Sequence, residues 1–246
     1  MSRFFVNPED IAEKYIYLSD KTDLHHMKKV LRLRVGDEVD ISDGEAWEYR
    51  TKIEEIGDDE AVLLIEDKQK FAREPKLIVT LYQGIPKGSK MEEIIQKSVE
   101  LGVHDIVPVF MERTVVVDKG NMGKKVERWQ KIADEAVKQC KRGIIPEVKM
   151  PVKFAEAVCR MSEHDLVVFP YENEDGRTIK DCLQSCSEKR PKTVAVIIGP
   201  EGGFADSEAK ELKQAGADTV SLGKTILRTE TAGPAAIAMI MYQLEL

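Results

Sequence analysis

The stretch that decides the fold is Val194–Phe204, VAVIIGPEGGF, in which an aliphatic run leads into a glycine-rich turn. The run predicts a buried strand, and a helix is predicted from Asp206. Ligands of open α/β sheets bind at the carboxyl ends of strands, and glycine lets a ligand approach the backbone closely. The turn lacks both the G-x-G-x-x-G dinucleotide pattern and the Gly-Lys-Ser/Thr of a phosphate-binding loop. It therefore predicts a ligand beside the backbone, with an ordinary tight turn as the alternative.

A second predicted strand ends in Phe169–Glu172, FPYE. The ring of Tyr171 lies where a flat heterocycle such as adenine can stack. A loop residue that covers the core is the alternative interpretation.

A third predicted strand leads into Ser221–Ala232, SLGKTILRTETA. Thr229 is the predicted N-cap of the last helix, and the planar guanidinium of Arg228 can orient an anionic or carbonyl-bearing partner. A salt bridge from Arg228 to Glu230 or Glu201 is the alternative. Three strand ends that converge on one glycine-rich pocket indicate a ligand site more strongly than any one of them.

From Lys76 onward, predicted strands and helices alternate, which is typical of a mostly parallel sheet covered by helices. The predicted strands are Leu77–Tyr82, Ile106–Phe110, Leu166–Phe169, Val194–Ile198 and Thr219–Ser221. The predicted helices are Lys90–Leu101, Lys124–Lys141, Phe154–Arg160, Asp206–Gln214 and Thr231–Leu244. The last helix is apolar on almost every side, so we expect it in a subunit interface, with a central position in the fold as the alternative.

The residues before this alternation have the pattern of short strands with tight turns, which favours a small β-barrel. The predicted strands are Phe4–Val6, Tyr15–Leu18, Glu38–Ile41, Glu48–Glu55 and Ala61–Ile65. One predicted helix, Asp23–Leu33, interrupts them. A domain boundary is predicted near Gln69–Pro75, where charged residues and a proline follow the last strand.

The composition excludes several classes of protein. The chain has 246 residues, of which 42% are hydrophobic and 33% charged, so it can bury a core and is not globally disordered. No apolar run approaches the roughly 20 residues of a membrane-spanning helix. The first residues turn polar too soon for a signal peptide, so we expect a cytoplasmic protein. The four cysteines lack metal-ligand spacing, so we expect reduced thiols and no metal site.

The net charge of −7 argues against nucleic-acid binding, but the charge is unevenly spread. Residues 24–36 contain four basic side chains and no acidic one, and residues 119–142 contain eight basic against three acidic. Because attraction at contact range is local, such stripes can hold a polyanion on an acidic protein. Ordinary solvated helix faces are the alternative.

Motifs along nearly the whole chain, in order, resemble the bacterial 16S ribosomal RNA uracil-N3 methyltransferase family. The two most specific are Ile198–Phe204 and Leu222–Ala232. The others lie within Arg3–Val6, His26–Asp37, Lys87–Val103 and Glu127–Pro146. The family usually has a basic residue where this chain has Thr225. If that residue contacts substrate, the contact is either lost here or supplied by the neighbouring Lys224.

The resemblance implies an α/β protein with a PUA-like RNA-binding β-barrel in residues 1–72 and a SPOUT-type methyltransferase domain in residues 73–246. It implies a homodimer with a deep C-terminal trefoil knot, whereas the strand pattern by itself predicts an unknotted sheet. S-adenosyl-L-methionine would bind in the knot, and the product would be 3-methyluridine in the decoding region of 16S rRNA in the small ribosomal subunit. The implied cofactor-binding residues are Pro170, Tyr171, Glu172, Gly199, Pro200, Glu201, Gly202, Leu222, Gly223, Ile226, Leu227 and Thr229.

Methyl transfer from a sulfonium is a one-step displacement, so positioning dominates catalysis. Uracil N3 must lose its proton, and a cation can stabilise the resulting anion across O2 and O4. We expect Arg228 to be that catalytic cation. The general base is not identified; Glu201 is one candidate, with capping of the glycine turn as its alternative role.

The target uridine must also leave its stack, and phosphate contacts elsewhere on the protein supply the free energy that this step costs. The predicted RNA-binding residues are Arg3, Lys28, Lys29, Arg32, Arg34, Lys124, Arg128, Lys131 and Arg142.

Two other functions compete with this interpretation. A non-catalytic RNA-binding ribosome-assembly protein would use the glycine loops only to support a dimer. A phosphate-transferring enzyme is disfavoured, because the chain has neither a Lys-Ser/Thr loop nor a paired-aspartate metal site.

Overall fold

The computed structural model describes residues 3–71, 74–118, 120–186 and 190–246. The chain forms two compact units: residues Met1–Glu74 with Val137–Ile145, and residues Pro75–Ala136 with Pro146–Leu246. The predicted boundary between residues 72 and 73 falls outside the described residues. The sequence pattern does not predict that residues 137–145 join the first unit.

The first unit contains five strands: β1 (Arg3–Phe5), β2 (Tyr15–Leu18), β3 (Glu38–Ser42), β4 (Trp47–Ile56) and β5 (Ala61–Lys70). They form one sheet in the order β1-β3-β4-β5-β2, in which β1 and β3 are parallel and the other pairs antiparallel. Alternate side chains such as Val39 and Ile41 are fully buried, because every second residue of a strand faces the same side. All five strands predicted for this part of the chain are confirmed.

The predicted helix Asp23–Leu33 is wrong at both ends. Helix α1 spans Lys21–His25, because the side chain of Asp20 caps it by accepting a hydrogen bond of 2.8 Å from the backbone amide of Asp23. A wider π-helical turn follows over His26–Val30. Arg32 then adopts a left-handed backbone with φ of 55°, which ends the helical path.

The second unit contains a sheet of seven strands: β6 (Ile78–Gly84), β7 (Asp105–Phe110), β8 (Glu147–Val148), β9 (Val152–Lys153), β10 (Leu166–Pro170), β11 (Thr193–Ile198) and β12 (Asp218–Val220). The strand order is β12-β10-β11-β6-β7-β8, and β9 also pairs with β7. Every pair is parallel, which confirms the predicted sheet type. All these strands therefore point their carboxyl ends to one edge.

The helices after α1 are α2 (Lys90–Glu100), α3 (Met122–Cys140), α4 (Phe154–Met161), α5 (Ile179–Ser185), α6 (Asp206–Gln214) and α7 (Thr229–Leu244). The last residues of α3 belong to the first unit. Strands β8 and β9 and helix α5 are not predicted from the sequence, because two-residue strands carry no periodicity and α5 has only seven residues. Its capping box, formed by Thr178 and Asp181, is the signal that predicts α5.

The last helix, α7, packs against α2, α5 and strands β6 and β11. Gly233, Ile237 and Ile240 are among its buried residues, so much of its apolar surface lies inside the second unit. Met239 and Tyr242 are exposed in the single chain. The central packing is thus observed, and the expected subunit interface stays a prediction.

Candidate active site

A cavity of about 580 Å³ lies at the carboxyl ends of β10, β11 and β12. The three loops singled out in the sequence line it together with the start of α7, so the predicted convergence of strand ends is confirmed. Every residue implied as cofactor-binding borders this cavity, as does Arg228. Their contact with a cofactor stays a prediction. The volume lies within the roughly 300–1,000 Å³ of small-molecule sites.

The glycine-rich turn is packed tightly against its own unit. A Cβ atom on Gly84, at the end of β6, would lie 2.6 Å from Cδ and the backbone nitrogen of Pro200. Gly203 has φ of +67°, and its amide donates a hydrogen bond of 2.9 Å to the carbonyl of Pro200. The glycines are therefore consistent with both interpretations of this sequence, a tight turn and a ligand beside the backbone. They close a turn, and their backbone also lines the cavity.

Thr229 fastens the start of α7 to this turn, and its predicted role as N-cap is wrong. Arg228 occupies the N-cap position without a side-chain cap, and Thr229 is the first helical residue. The Thr229 hydroxyl donates to the carbonyl of Gly199 at 2.7 Å and accepts from Nε2 of Gln83 at 2.9 Å. Hydrogen bonds to the glycine-rich turn and to strand β6 occupy the hydroxyl, so it does not cap its own helix.

Gln83 is a site residue that the sequence analysis missed. It is fully buried in β6 and also donates to the carbonyl of Gly84 at 2.9 Å. Its Oε1 atom has no hydrogen-bond partner among the described residues. A side-chain amide at the end of a mostly apolar predicted strand is the signal that points to it, since buried polar groups need hydrogen-bond partners.

Replacing Thr229 with valine is expected to lower the free energy of unfolding by about 1–3 kcal/mol, because the amide of Gln83 loses its acceptor inside the protein. Valine keeps the shape and the β-branch. Urea denaturation measures the change. The control is Thr231→Val, which alters an exposed residue of the same helix and is expected to change little. Equal effects of the two substitutions would contradict the role given to Thr229.

Glu201 is held in the turn by several donors. Its carboxylate accepts from the backbone amide of Lys87 at 3.1 Å and pairs with Nζ of Lys90 at 3.1 Å. Partial burial works to raise the pKa of Glu201, but its own backbone amide, Lys90 and the Lys87 amide together lower it. A carboxylate with a lowered pKa is a weaker base, so these contacts favour a structural role over that of general base.

Arg228 is available at the solvent-facing side of the cavity. Its side chain is 84% exposed, and Nη1 lies 4.0 Å from Glu230, at the outer limit of an ion pair. The alternative salt bridge to Glu201 is not observed, because that carboxylate pairs with Lys90. Lys224 and Thr225 also border the cavity, and replacement of the family's basic residue by Lys224 stays a prediction.

Tyr171 borders the cavity but already has aromatic and cationic neighbours. Its ring stacks on Phe169 with centroids 5.1 Å apart, and Nζ of Lys213 lies 5.2 Å from the ring centre. The contact with Phe169 supports the interpretation that Tyr171 covers core. Stacking of a heterocycle on this ring stays a prediction.

Two of the predicted RNA-binding residues are buried in the first unit. Arg3 is 7% exposed and pairs with Glu48 at 2.5 Å, and Arg142 is 5% exposed and pairs with Glu74 at 2.5 Å. Arg3 also donates to the carbonyl of Lys141 at 3.0 Å. Breaking a buried pair leaves an uncompensated charge, so these arginines do not reach out to a phosphate. This burial argues against the predicted RNA contacts of Arg3 and Arg142.

The other predicted RNA-binding residues lie at the surface of their units. In the first unit Lys28 is partly exposed and pairs with Asp58, while Lys29, Arg32 and Arg34 are exposed. In the second unit, Arg128 is exposed and pairs with Glu92 at 2.6 Å. Lys124 and Lys131 are exposed on the same helix, α3.

The described residues contain no group of three or more histidine, cysteine, aspartate or glutamate side chains placed to hold a metal ion. None of the helices in the described ranges is long and apolar enough to cross a membrane.

Comparison with known proteins places these features in a family. Residues 73–241 match the family described as RNA methyltransferase domain, and residues 18–66 match RNA methyltransferase PUA domain. The ribosomal RNA small subunit methyltransferase E of Bacillus subtilis is 33% identical, over 100% of this chain and 98% of that protein. A crystal structure of a ribosomal RNA small subunit methyltransferase E from Neisseria gonorrhoeae, bound to S-adenosyl methionine, is 31% identical and has a TM-score of 0.86. The match covers 98% of this chain and 97% of the Neisseria gonorrhoeae chain. The structure of a putative methyltransferase from Legionella pneumophila, also with bound cofactor, is 33% identical and has a TM-score of 0.85. That match covers 98% of this chain and 96% of the Legionella pneumophila chain.

Proposed function

This chain belongs to the ribosomal RNA small subunit methyltransferase E family, and we propose that it methylates N3 of one uridine in the decoding region of 16S rRNA. It is an enzyme that uses S-adenosyl-L-methionine as methyl donor, like its relatives solved with that cofactor. The observation that carries the proposal is the single cavity in which three strand-end loops meet. A protein that used these loops only to support a dimer would not need that cavity.

The cavity fits the methyl donor in size and in charge. Its lining carries more carboxylates than cations, which suits a positively charged sulfonium. The carboxylates are those of Glu172, Glu174, Asp175, Glu201 and Glu230, and the cations are Lys90, Lys224 and Arg228. A Cβ atom on Gly223 would meet nothing within 4 Å, so the backbone is open to a ligand there. Gly223 has a backbone φ of +148°, a conformation that residues other than glycine rarely adopt.

The reaction joins a methyl group to uracil N3. S-adenosyl-L-methionine supplies the methyl group from its sulfonium, which becomes a thioether, while the N3 proton leaves to a base or to water. Arg228 stabilises the developing uracil anion through O2 and O4, because its guanidinium is exposed at the cavity. Thr229 and the glycine turn hold Arg228 in place through the 2.7 Å hydrogen bond to Gly199.

We assign RNA binding to the predicted basic residues that are exposed, which leaves out the buried Arg3 and Arg142. These are Lys28, Lys29, Arg32 and Arg34 in the first unit and Lys124, Arg128 and Lys131 in the second. They supply phosphate contacts whose energy offsets the cost of extruding the target base. The cytoplasm, where ribosomal subunits assemble, is the place we propose for this activity.

Replacing Lys28, Lys29 and Arg32 with glutamate is expected to weaken RNA binding at least tenfold and to flatten its salt dependence, because phosphate contacts are lost. Filter binding of 16S rRNA at several salt concentrations measures both. The control reverses Lys180, Lys192 and Lys210, which are exposed outside the predicted surface and give the same change in net charge. Normal binding by the first variant would refute this RNA surface.

The family resemblance implies three features beyond the sheet topology: a barrel, a knot and a homodimer. We propose that the five strands of the first unit form a PUA-like barrel, and that the second unit forms a knotted SPOUT-type domain. The path of the chain supports a knot: β12 lies at one sheet edge, yet the chain returns to Gly199 and Gln83 at Thr229, the first residue of α7. The exposed Met239 and Tyr242 support a homodimer through α7. Analytical ultracentrifugation tests it, and a monomer at micromolar concentration would contradict it.

A further inference from the structure

One ammonium group joins three segments of the cavity wall. Lys90 is the first residue of α2, and its Nζ lies 3.1 Å from Oε1 of Glu201 and 3.4 Å from Oε2 of Glu230. Glu201 belongs to the glycine-rich turn, and Glu230 is the second residue of α7. These three segments are far apart in the sequence, so Lys90 is a cross-link between them.

The charges around Lys90 depend on one another. The side chains of Glu201 and Glu230 are 26% and 13% exposed, so water screens them incompletely. The Oε2 atom of Glu230 has no hydrogen-bond partner in the described part of the chain, and the Lys90 ammonium, 3.4 Å away, is its nearest cation. Hydrogen bonding to Glu201 raises the pKa of Lys90, which therefore stays charged. Without that cation, two neighbouring carboxylates would repel each other.

Glu230 also lies beside the proposed catalytic cation. Arg228 precedes Glu230 by two residues, and its Nη1 lies 4.0 Å from Oε1 of Glu230. A shift of Glu230 away from Glu201 would therefore move Arg228 relative to the glycine turn. A misplacement of about 1 Å can cost on the order of a hundredfold in rate.

We propose that Lys90 is a positioning residue for methyl transfer: it holds the glycine-rich turn against the start of α7 and so places Arg228 beside the bound methyl donor. The inference rests on the proposed function of the cavity. It assigns Lys90 a role in the rate of transfer, in addition to any role in folding.

The experiment compares Lys90→Met, Lys90→Arg and the control Lys97→Met. Lys97 lies on the same helix and pairs with Glu93, with both side chains about half exposed. Single-turnover methylation of unmodified small subunits gives the rate of transfer, and steady-state kinetics give KM for the RNA. We expect Lys90→Met to slow transfer about 10–100-fold while KM changes less than about threefold. Lys90→Arg restores the rate to within about fivefold of wild type, and Lys97→Met equals wild type.

A second variant separates positioning from loss of fold. Adding Glu230→Gln to Lys90→Met removes the repulsion between the two carboxylates, so we expect the double variant to transfer at least about fivefold faster than Lys90→Met. A rate for Lys90→Met within threefold of wild type overturns the inference, and so does a double variant as slow as Lys90→Met. An inactive wild-type enzyme would instead overturn the proposed function itself.

Discussion

Replacing Arg228 with alanine is expected to lower kcat about 10²–10³-fold while the Kd for S-adenosyl-L-methionine stays within threefold of wild type. The loss has the size seen when one donor to a developing anion is removed. The Kd is preserved because the Arg228 side chain is 84% exposed and lies on the substrate side of the proposed reaction. Single-turnover methylation measures the rate, and calorimetric titration measures the Kd.

The matched control for this experiment is Arg160→Ala. Arg160 is exposed and pairs with Glu156 on α4, so its loss removes one charge without touching the cavity. Lys224→Ala tests in parallel whether Lys224 replaces the basic residue that the family usually has at Thr225; a rate loss then identifies Lys224 as a second cation. Methylation by Arg228→Ala at the wild-type rate, with unchanged cofactor affinity, would show that Arg228 does not stabilise the uracil anion.

Replacing Gly84 with alanine is expected to weaken S-adenosyl-L-methionine binding at least about tenfold and to lower the free energy of unfolding by about 1–3 kcal/mol. The added methyl group would lie 2.6 Å from both Cδ and the backbone nitrogen of Pro200, and 2.9 Å from Sδ of Met111. Backbone cannot move aside as cheaply as the end of a side chain, so the glycine-rich turn itself must shift. Calorimetric titration and urea denaturation measure the two effects.

Gly123→Ala is the control, because a Cβ atom there meets nothing within 4 Å. Gly123 lies in α3, where alanine is favoured over glycine, so we expect this variant to be as stable as wild type or slightly more stable. Its cofactor affinity should not change. If Gly84→Ala bound the cofactor as tightly as Gly123→Ala, the turn after β11 would not form part of the cofactor site.

The position of the cavity was predictable because the carboxyl ends of parallel strands all lie at one edge of the sheet. Strands β10, β11 and β12 pair in parallel, so the loops after Phe169, Ile198 and Val220 must emerge at one edge of the sheet. The glycines and Arg228 in those loops then mark the ligand side. Gln83 lies outside every motif of the sequence, and Lys90 lies within the segment Lys87–Val103 without a pattern that assigns it a role. Their roles come from contacts with residues more than 100 positions away.

The buried arginines show the limit of reading charge from sequence. Arg142 lies in the basic stretch of residues 119–142 and Arg3 lies near the start of the chain. Their partners Glu74 and Glu48 lie 68 and 45 residues away in the sequence. Exposed Arg32 and buried Arg142 cannot be told apart by local charge, because burial is decided by tertiary packing. The same reasoning explains Thr229, which has the sequence signature of an N-cap but bonds instead to Gly199 and Gln83.

The central claim is that this cavity holds S-adenosyl-L-methionine beside an extruded uridine. The most direct test incubates the purified protein with small ribosomal subunits from cells that lack it, adds the isotope-labelled donor, and maps methylated nucleosides by mass spectrometry. We expect one labelled 3-methyluridine in the decoding region of 16S rRNA, and at least about fivefold slower labelling by the Gly84→Ala variant at a donor concentration below the wild-type Kd. Label absent from the RNA, or a methyl group on an atom other than uracil N3, would contradict the account.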